Sequence, residues 1–213
     1  MPRDDYKFLA RLYDPLLASS NRGLIGVSMK MLDLTPGSRI VDLCCGTGEA
    51  VIAYAKAGYE AVGVDGSPSM LAVARPKIDT AATLIHGDAA RTGFEAASFD
   101  AVTISMALHE MAPPDRDDVV VEIARILRPT GHLLAIDYDP DPVIGLKGRI
   151  GRAMTFAVER AVGGEHYAGY RHFMAHGGLP ALLSRHGFHL HRRKRLTGGN
   201  LSAILFKPPG VAS

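Results

Sequence analysis

The sequence is poor in cysteine, with two in 213 residues. Cys44 and Cys45 are neighbours in an apolar run, so they cannot join distant segments through disulfides and do not have zinc-ligand spacing. The nine histidines form no H-E-x-x-H motif and no paired His/Cys pattern. We therefore interpret the cysteines as small buried side chains, and we expect no metal site.

Long apolar runs are also absent. No stretch approaches the roughly 18 uncharged residues that a membrane-spanning helix requires, and the charged segment MPRDDYKFLARLYD is unlike a signal peptide. We therefore expect a cytoplasmic protein, as a monomer or a homodimer. A hydrophobic content of 47% in 213 residues is enough for one α/β domain over residues 1–213.

Acidic residues are nearly missing from one part of the chain. Residues 1–141 contain 13 Lys/Arg and 20 Asp/Glu, whereas residues 142–213 contain 11 and 2. Anionic molecules would therefore approach the C-terminal third. This asymmetry predicts contact with an anionic substrate or a membrane surface through that third.

Short apolar runs alternate with longer helical patterns from residue 39 onward, which predicts a doubly wound, mostly parallel sheet. The expected strands are 39–45, 61–65, 83–86, 99–106 and 132–137, and the expected helices are 49–57, 68–74 and 116–127. Residues 188–196 and 201–206 predict a terminal hairpin. Residues 1–35 are expected to form N-terminal helices. Residues 146–162 have a helical pattern inside a small cap insert over about 140–178.

A glycine-rich turn follows the first predicted strand directly. Gly46 and Gly48 allow the backbone to turn tightly and to approach a ligand closely. Such a turn lies in the ligand crevice of a doubly wound sheet. A dinucleotide-binding turn would have a third glycine, but this sequence has Val51 there, which disfavours an NAD(P)-dependent oxidoreductase.

Acidic residues accompany this turn at three successive strand ends. Asp42 lies in the strand before the turn, Asp65 ends the next strand, and Asp88 follows the third. The carboxylate of Asp65 offers two acceptor oxygens to the two ribose hydroxyls of an adenosine. Asp88 lies where an adenine amino group is expected. The three acids together are more specific than any one of them.

With these residues, the chain resembles the class I S-adenosylmethionine (SAM) dependent methyltransferases across roughly residues 39–140, in DLCCGTGE, GVDGSPSML, HGDAARTGF, SFDAVTISMALHE and LRPTGHLLAIDY. The resemblance implies a seven-stranded sheet of order 3-2-1-4-5-7-6 with strand 7 antiparallel. It also implies that the methionine portion of SAM is surrounded by Asp42, Gly46, Thr47 and Gly48, the ribose is held by Asp65, the adenosine is flanked by Ser67 and Met70, the adenine contacts Asp88 and Ala89, and the sulfonium lies beside Ser105. Tyr13-Asp14, CCGTGE and LTGGN are similar to the menaquinone and ubiquinone C-methyltransferases.

His109 follows the fourth strand and is a candidate general base or substrate contact, because histidine titrates near neutrality. Hydrogen bonding at the strand end is an equal alternative. Tyr6 and Tyr13 either close over SAM or anchor the first helix. Further candidates for the substrate pocket, or for a solvated face, are Tyr138, His166, Tyr167, Tyr170, Arg171, His172 and His176.

The basic run at 191–195 lacks interleaved aromatic residues, so nucleic-acid binding is disfavoured, and the charges are read as guarding a sheet edge. The favoured function is SAM-dependent methyl transfer to a small-molecule or lipophilic acceptor such as a quinone precursor. The alternatives are a phospholipid-type N-methyltransferase at a membrane surface, a non-catalytic SAM-binding module and the oxidoreductase.

Overall fold

The computed structural model describes the backbone of residues 10–78 and 82–210, and the side chains from residue 21 onward within those ranges. In chain order the elements are α1 (Ala10–Leu32), β1 (Arg39–Leu43), α2 (Glu49–Lys56), β2 (Glu60–Asp65), α3 (Pro68–Ala74), β3 (Ala82–His86), β4 (Phe99–Ser105), α4 (Pro113–Ile126), β5 (Leu127–Tyr138), α5 (Gly145–Val162), α6 (Gly164–Ala175), α7 (Gly178–Arg185), β6 (His189–Leu196) and β7 (Leu201–Lys207).

One seven-stranded sheet of order β3-β2-β1-β4-β5-β7-β6 organises the fold. Strands β1 to β5 pair in parallel, and β7 runs antiparallel to both β5 and β6. The fold class, the strand order and the antiparallel seventh strand are confirmed. The strand order reverses between β1 and β4, so the carboxyl ends of these strands open a crevice.

The central strands are buried on both faces, which explains their continuous apolar sequences. One face carries an apolar cluster that includes Val102, Ile123 and Phe206, and the opposite face carries a second cluster that includes Ile40 and Leu134. Because both faces are covered by helices, side chains reach a ligand mainly from the strand ends and loops.

The predicted starts of α4 and β5 were wrong. Helix α4 begins at Pro113, three residues before the predicted start, because proline is well suited to a first helical turn. Strand β5 begins at Leu127 rather than at residue 132. Its pairing with β4 jumps from Phe99–Leu127 to Ala101–His132, so a bulge accommodates Pro129 inside the strand.

The segments outside the central sheet follow the predicted layout in part. Described residues of the N-terminal segment form one helix, α1, which packs against α2, α3, β5 and β7. Residues 140–178 contain α5 and α6, of which α6 was not predicted as a helix. The single domain over residues 1–213 stays a prediction. Among the described residues, no helix combines the length and the apolar character needed to cross a bilayer.

Candidate functional site

The turn after β1 requires left-handed backbone conformations. Cys44, Gly46 and Gly48 have φ angles of 58°, 54° and 76°. The backbone N–H of Gly48 donates to the carbonyl of Cys45 over 3.0 Å, and Gly48 is the N-cap of α2. Glycine adopts such angles without steric cost. The turn therefore brings backbone close to the crevice at the end of β1.

Close packing between α2 and the sheet comes from a glycine on the strand. A Cβ added at Gly63 in β2 would lie 2.8 Å from Cys45 Sγ, 2.8 Å from Val51 Cγ2 and 2.9 Å from Leu84 Cδ2. Val51 thus occupies the space that Gly63 leaves open. In the dinucleotide-binding motif a helix glycine allows this close packing, and here the strand provides it.

This packing predicts a stability effect. We expect Gly63→Ala to lower the free energy of unfolding by about 1–3 kcal/mol, because the new methyl group overpacks a site with three neighbours. The measurement is denaturant unfolding. Gly26→Ala in α1 is the control, since nothing lies within 4 Å of its Cβ position. Equal stability of the Gly63→Ala variant and the original protein would contradict the tight packing.

Asp65 braces the turn from the end of β2. Its Oδ2 accepts a hydrogen bond from the backbone N–H of Gly46 over 2.7 Å, and its Oδ1 accepts one from the backbone N–H of Ser67 over 2.8 Å. The side chain of Asp65 is therefore fixed in position at the end of β2, beside the turn.

The neighbouring predicted residues are also fixed by the backbone. Ser67 is the N-cap of α3, and its Oγ accepts from the N–H of Met70 over 3.1 Å. Asp88 Oδ1 accepts from the N–H of Ala90 over 2.8 Å. These short local bonds hold side chains from two strand ends beside Asp65.

A cavity of about 850 Å³ lies at the carboxyl ends of the strands. This volume falls within the range of small-molecule and cofactor sites. Seven of the predicted cofactor residues line it, namely Gly46, Asp65, Ser67, Met70, Asp88, Ala89 and Ser105. The structure thus brings residues from four strand ends to one cavity.

A smaller cavity of about 100 Å³ shares Gly46 and Ser105 with the large one and is also lined by Asp42 and Thr47. Asp42 is buried, and its Oδ1 accepts from Thr103 Oγ1 over 2.6 Å. Burial raises the pKa of Asp42 to about 7, with a lowering by the Thr103 bond and a further rise from Asp65. A cation beside Asp42 would relieve this destabilised charge.

Gly48 is placed differently from the other predicted cofactor residues. It is not among the residues lining either cavity, and a Cβ there would lie 3.2 Å from Ala74 Cβ. Its contribution in the structure is the left-handed N-cap and close packing against α3. The side chain of Tyr13 lies outside the described residues, as does Tyr6.

His109 lies in a buried ionic cluster behind the large cavity. Its Nδ1 is 2.7 Å from Asp137 Oδ1, its backbone N–H donates to Asp137 Oδ2 over 3.1 Å, and its Nε2 is 3.7 Å from Glu159 Oε1. It is 3% exposed and is not a lining residue of either cavity. Hydrogen bonds therefore connect His109 to Asp137 near the end of β5.

The cluster reaches the cavity wall through His166. His166 Nε2 is 2.6 Å from Glu159 Oε2, and His166 Nδ1 is 3.1 Å from Glu110 Oε2. Glu110 lines the large cavity. The Tyr138 hydroxyl donates to Glu159 Oε1 over 2.9 Å. Glu159 belongs to α5 and His166 to α6, so the cluster connects both helices to the loop after β4.

Carboxylates favour the charged forms of both imidazoles. Hydrogen bonds that His166 donates to the carboxylates of Glu110 and Glu159 raise the pKa of His166 to about 10. Burial alone would lower the pKa of His109, but Asp137 raises it above its usual value. Conversely, burial opposes ionisation of Glu159, yet its partners hold its pKa below the usual value.

The sequence has no metal-binding motif, but the fold brings together one group that has suitable geometry. Donor atoms of His109, Glu159 and His166 lie within 4.8 Å of one another. The two imidazoles already have carboxylate partners in this arrangement, namely Asp137, Glu110 and Glu159. The three residues come from separate segments, which explains why sequence spacing did not reveal the cluster.

The remaining substrate candidates are not lining residues of the two cavities. Tyr170 is buried, and its ring centroid lies 5.4 Å from that of Tyr138. Arg171 is exposed, with its guanidinium 6.0 Å from the Tyr167 ring centroid. His172 and His176 stack on each other, with centroids 3.9 Å apart.

Arg116 is a buried cation that sequence reasoning missed. Its Nε donates to the carbonyl of Leu108 over 2.6 Å, and its Nη2 donates to the carbonyls of Met111 and Gly169 over 2.7 and 3.2 Å. The loop after β4 is therefore tied to α6. Arg116 lies in an amphipathic helix, and nothing in the sequence indicated that it would bind these backbone carbonyls.

The arginines of the basic run in β6 bind acceptors within the protein itself. Arg193 Nη2 lies 2.6 Å from Asp139 Oδ1, and Arg195 Nε lies 3.1 Å from Asp139 Oδ2. Arg192 donates to the carbonyl of Met31. These arginines anchor an edge strand, which supports the reading of the run as edge protection.

Comparison with known proteins agrees with this geometry. Residues 40–131 match the family model described as a methyltransferase domain. The chain is 35% identical over 127 residues to a demethylmenaquinone methyltransferase of Bacillus cereus, covering 56% of this chain and 53% of that protein. It is 37% identical over 109 residues to an uncharacterized methyltransferase of Synechocystis sp., covering 51% of each. The chain thus spans about half the length of the curated relatives it matches.

Solved structures share the fold over nearly the whole chain. A Haloferax volcanii protein solved in complex with the Trm112 methyltransferase activator has a TM-score of 0.76 at 20% identity, over 98% of this chain and 100% of that one. A SAM-dependent methyltransferase from Methanosarcina mazei has a TM-score of 0.60 at 19% identity, over 83% and 94%. Together with the strand order, these findings place residues 40–131 in a methyltransferase domain and show that the chain has the fold of the SAM-dependent methyltransferases.

Proposed function

We propose that this protein transfers a methyl group from SAM to a lipophilic small-molecule acceptor. The observation that carries the proposal is the large cavity at the carboxyl ends of β1 to β4, which shares Gly46 and Ser105 with a small cavity at Asp42. SAM has an adenosine end and a cationic amino group at its methionine end. The two neighbouring cavities suit these two ends.

Each part of SAM has matching residues. We propose that Asp65 accepts from the ribose hydroxyls, Ser67 and Met70 flank the adenosine, and Asp88 and Ala89 contact the adenine. The methionine portion lies against the Gly46–Thr47 turn, with its ammonium beside Asp42, and Ser105 lies next to the sulfonium. Gly48 contributes by shaping the turn.

SAM supplies an activated methyl group on a cationic sulfur, and the protein must align the acceptor with it. Asp65 and the turn fix the cofactor side, because they are hydrogen-bonded to each other. Met106, Ala107 and Met111 add an apolar wall to the large cavity, which excludes water and favours a lipophilic acceptor.

We propose a positioning role for His109 and proton acceptance by Glu110. Glu110 lines the cavity and is bonded to His166, so its carboxylate is held on the wall where an acceptor would lie. His109, which directly precedes Glu110 in the chain, is itself held by Asp137. Tyr138 and Tyr170 support the cluster, and Tyr13, Tyr167 and Arg171 stay predicted substrate contacts.

A quinone precursor is the acceptor class that the relatives favour. The curated relative from Bacillus cereus is named as a demethylmenaquinone methyltransferase and shares 35% identity over 127 residues. The matched stretch covers about half of either protein. It therefore supports the proposed binding of SAM more directly than it supports the proposed acceptor. An extract of isoprenoid quinone precursors is therefore the first acceptor mixture to test.

Binding of SAM should depend on pH through Asp42. With its pKa at about 7, the Asp42 carboxyl is protonated at lower pH and must lose a proton to pair with an ammonium. We expect SAM affinity to rise about ten-fold per pH unit below pH 7 and to level off above it. Isothermal titration calorimetry between pH 5.5 and 8 measures this.

Asp42→Asn is the matched control for this titration, because it keeps the shape and removes the charge. We expect this variant to bind SAM more weakly at pH 8 and with little dependence on pH. A wild-type affinity that is constant from pH 5.5 to 8 would contradict the placement of the ammonium at Asp42.

A further inference from the structure

Large apolar side chains are exposed almost entirely on one segment. Nine of them are exposed among the residues whose side chains are described, and seven of these nine lie within residues 144–162, at 45% to 72% exposure. The seven are Ile144, Leu146, Ile150, Met154, Phe156, Val158 and Val162. Such a concentration marks an interaction surface rather than scattered surface residues.

Five of the seven form a regular row on α5. Leu146, Ile150, Met154, Val158 and Val162 follow one another at intervals of four residues, so they form a slanted row that winds about 160° around the outer surface of the helix. The other side of α5 faces the protein. A Cβ at Gly148 would meet the carbonyl oxygen of Gly198 at 2.5 Å, and Glu159 is buried in the ionic cluster.

The charge on the outer surface of α5 has one sign. Lys147, Arg149 and Arg160 are exposed, whereas Glu159, the one acid of the helix, points inward to His166 and Tyr138. An apolar row with cations beside it is typical of helices that lie in the interface of a bilayer containing anionic lipids. This charge pattern identifies the occupant as anionic lipid.

We propose that the outer surface of α5 docks on an anionic bilayer, with the apolar row among the acyl chains and the three cations at the headgroups. Two contacts link α5 to the cavity wall. Glu159 of α5 contacts His166, and His166 contacts Glu110 on the wall. The proposal rests on the proposed function in one respect, since docking there places the cavity beside the source of a lipophilic acceptor.

The test is co-sedimentation of the full chain with vesicles. Vesicles of phosphatidylglycerol and phosphatidylcholine are compared with vesicles of phosphatidylcholine alone at low salt. We expect the wild type to bind the anionic vesicles, and the double variant Ile150→Glu/Met154→Glu to bind at least about ten-fold more weakly. Both side chains are exposed, so the fold should tolerate the changes. Val121→Glu on α4, where the original side chain is 57% exposed, is the matched control and should bind like the wild type.

Three results would overturn the proposal. The wild type does not bind the anionic vesicles, or the double variant binds them as well as Val121→Glu does, or sedimentation shows a dimer that the double variant breaks while no vesicles are bound. The last result would assign the surface to a second copy. SAM titration of the same samples without vesicles keeps the two proposals separate, because α5 docking and SAM binding can each fail alone.

Discussion

Replacing Asp65 by alanine is expected to weaken SAM binding by about 1.5–3 kcal/mol, or roughly 10- to 100-fold. The variant loses the acceptor proposed for the ribose hydroxyls. It also loses the acceptor of the Gly46 and Ser67 N–H groups, so the turn proposed to surround the methionine portion becomes less ordered. Calorimetric titration with SAM measures the change.

Glu60→Ala is the matched control for Asp65→Ala, because Glu60 begins the strand that Asp65 ends. Its contact is a surface ion pair with Arg39 at 3.4 Å, far along the strand from the cavity. We expect its SAM affinity to equal that of the wild type. A folded Asp65→Ala variant that binds SAM with wild-type affinity would contradict the ribose assignment.

Replacing Asp137 by alanine is expected to lower the free energy of unfolding by about 3–5 kcal/mol, the range for removing one partner of a buried ion pair. His109 would keep a buried imidazole with no partner at Nδ1. The N–H groups of His109 and Tyr138 would lose their acceptor as well. Denaturant unfolding followed by circular dichroism measures the loss.

The control for Asp137→Ala is Asp141→Ala, which removes a carboxylate that is 51% exposed and paired with Arg193 at 2.9 Å. Exposed pairs contribute about 0–1 kcal/mol, so this variant should be nearly as stable as the wild type. Equal losses in the two variants would show that the cluster around His109 stabilises the fold no more than a surface pair does.

The sheet and several of the residues that line the large cavity were predictable from sequence because their signals are local. Continuous apolar runs indicate strands that are buried on both faces, and a glycine turn directly after such a strand indicates a ligand crevice. Gly46, Asp65 and Asp88 each follow or end a strand. Parallel strands bring those ends together without any further information.

Other features depend on contacts between segments that are distant in sequence. The burial of Asp42 against Thr103 joins β1 to β4, and the space filled by Val51 is opened by Gly63 on another element. His109 and His166 meet only because α6 packs on the loop after β4, where a Cβ at Gly169 would lie 2.5 Å from the carbonyl oxygen of Glu110. None of these contacts has a characteristic sequence spacing.

Methyl transfer by this protein is measured most directly with SAM that is labelled in its methyl group. The protein is incubated with labelled SAM and a lipid extract that contains quinone precursors, and the organic phase is analysed for the label. We expect one or a few lipophilic molecules to gain the label with the wild type and far less with Asp65→Ala. Binding of SAM without transfer of the label to any molecule would contradict the account and would indicate a non-catalytic SAM-binding protein.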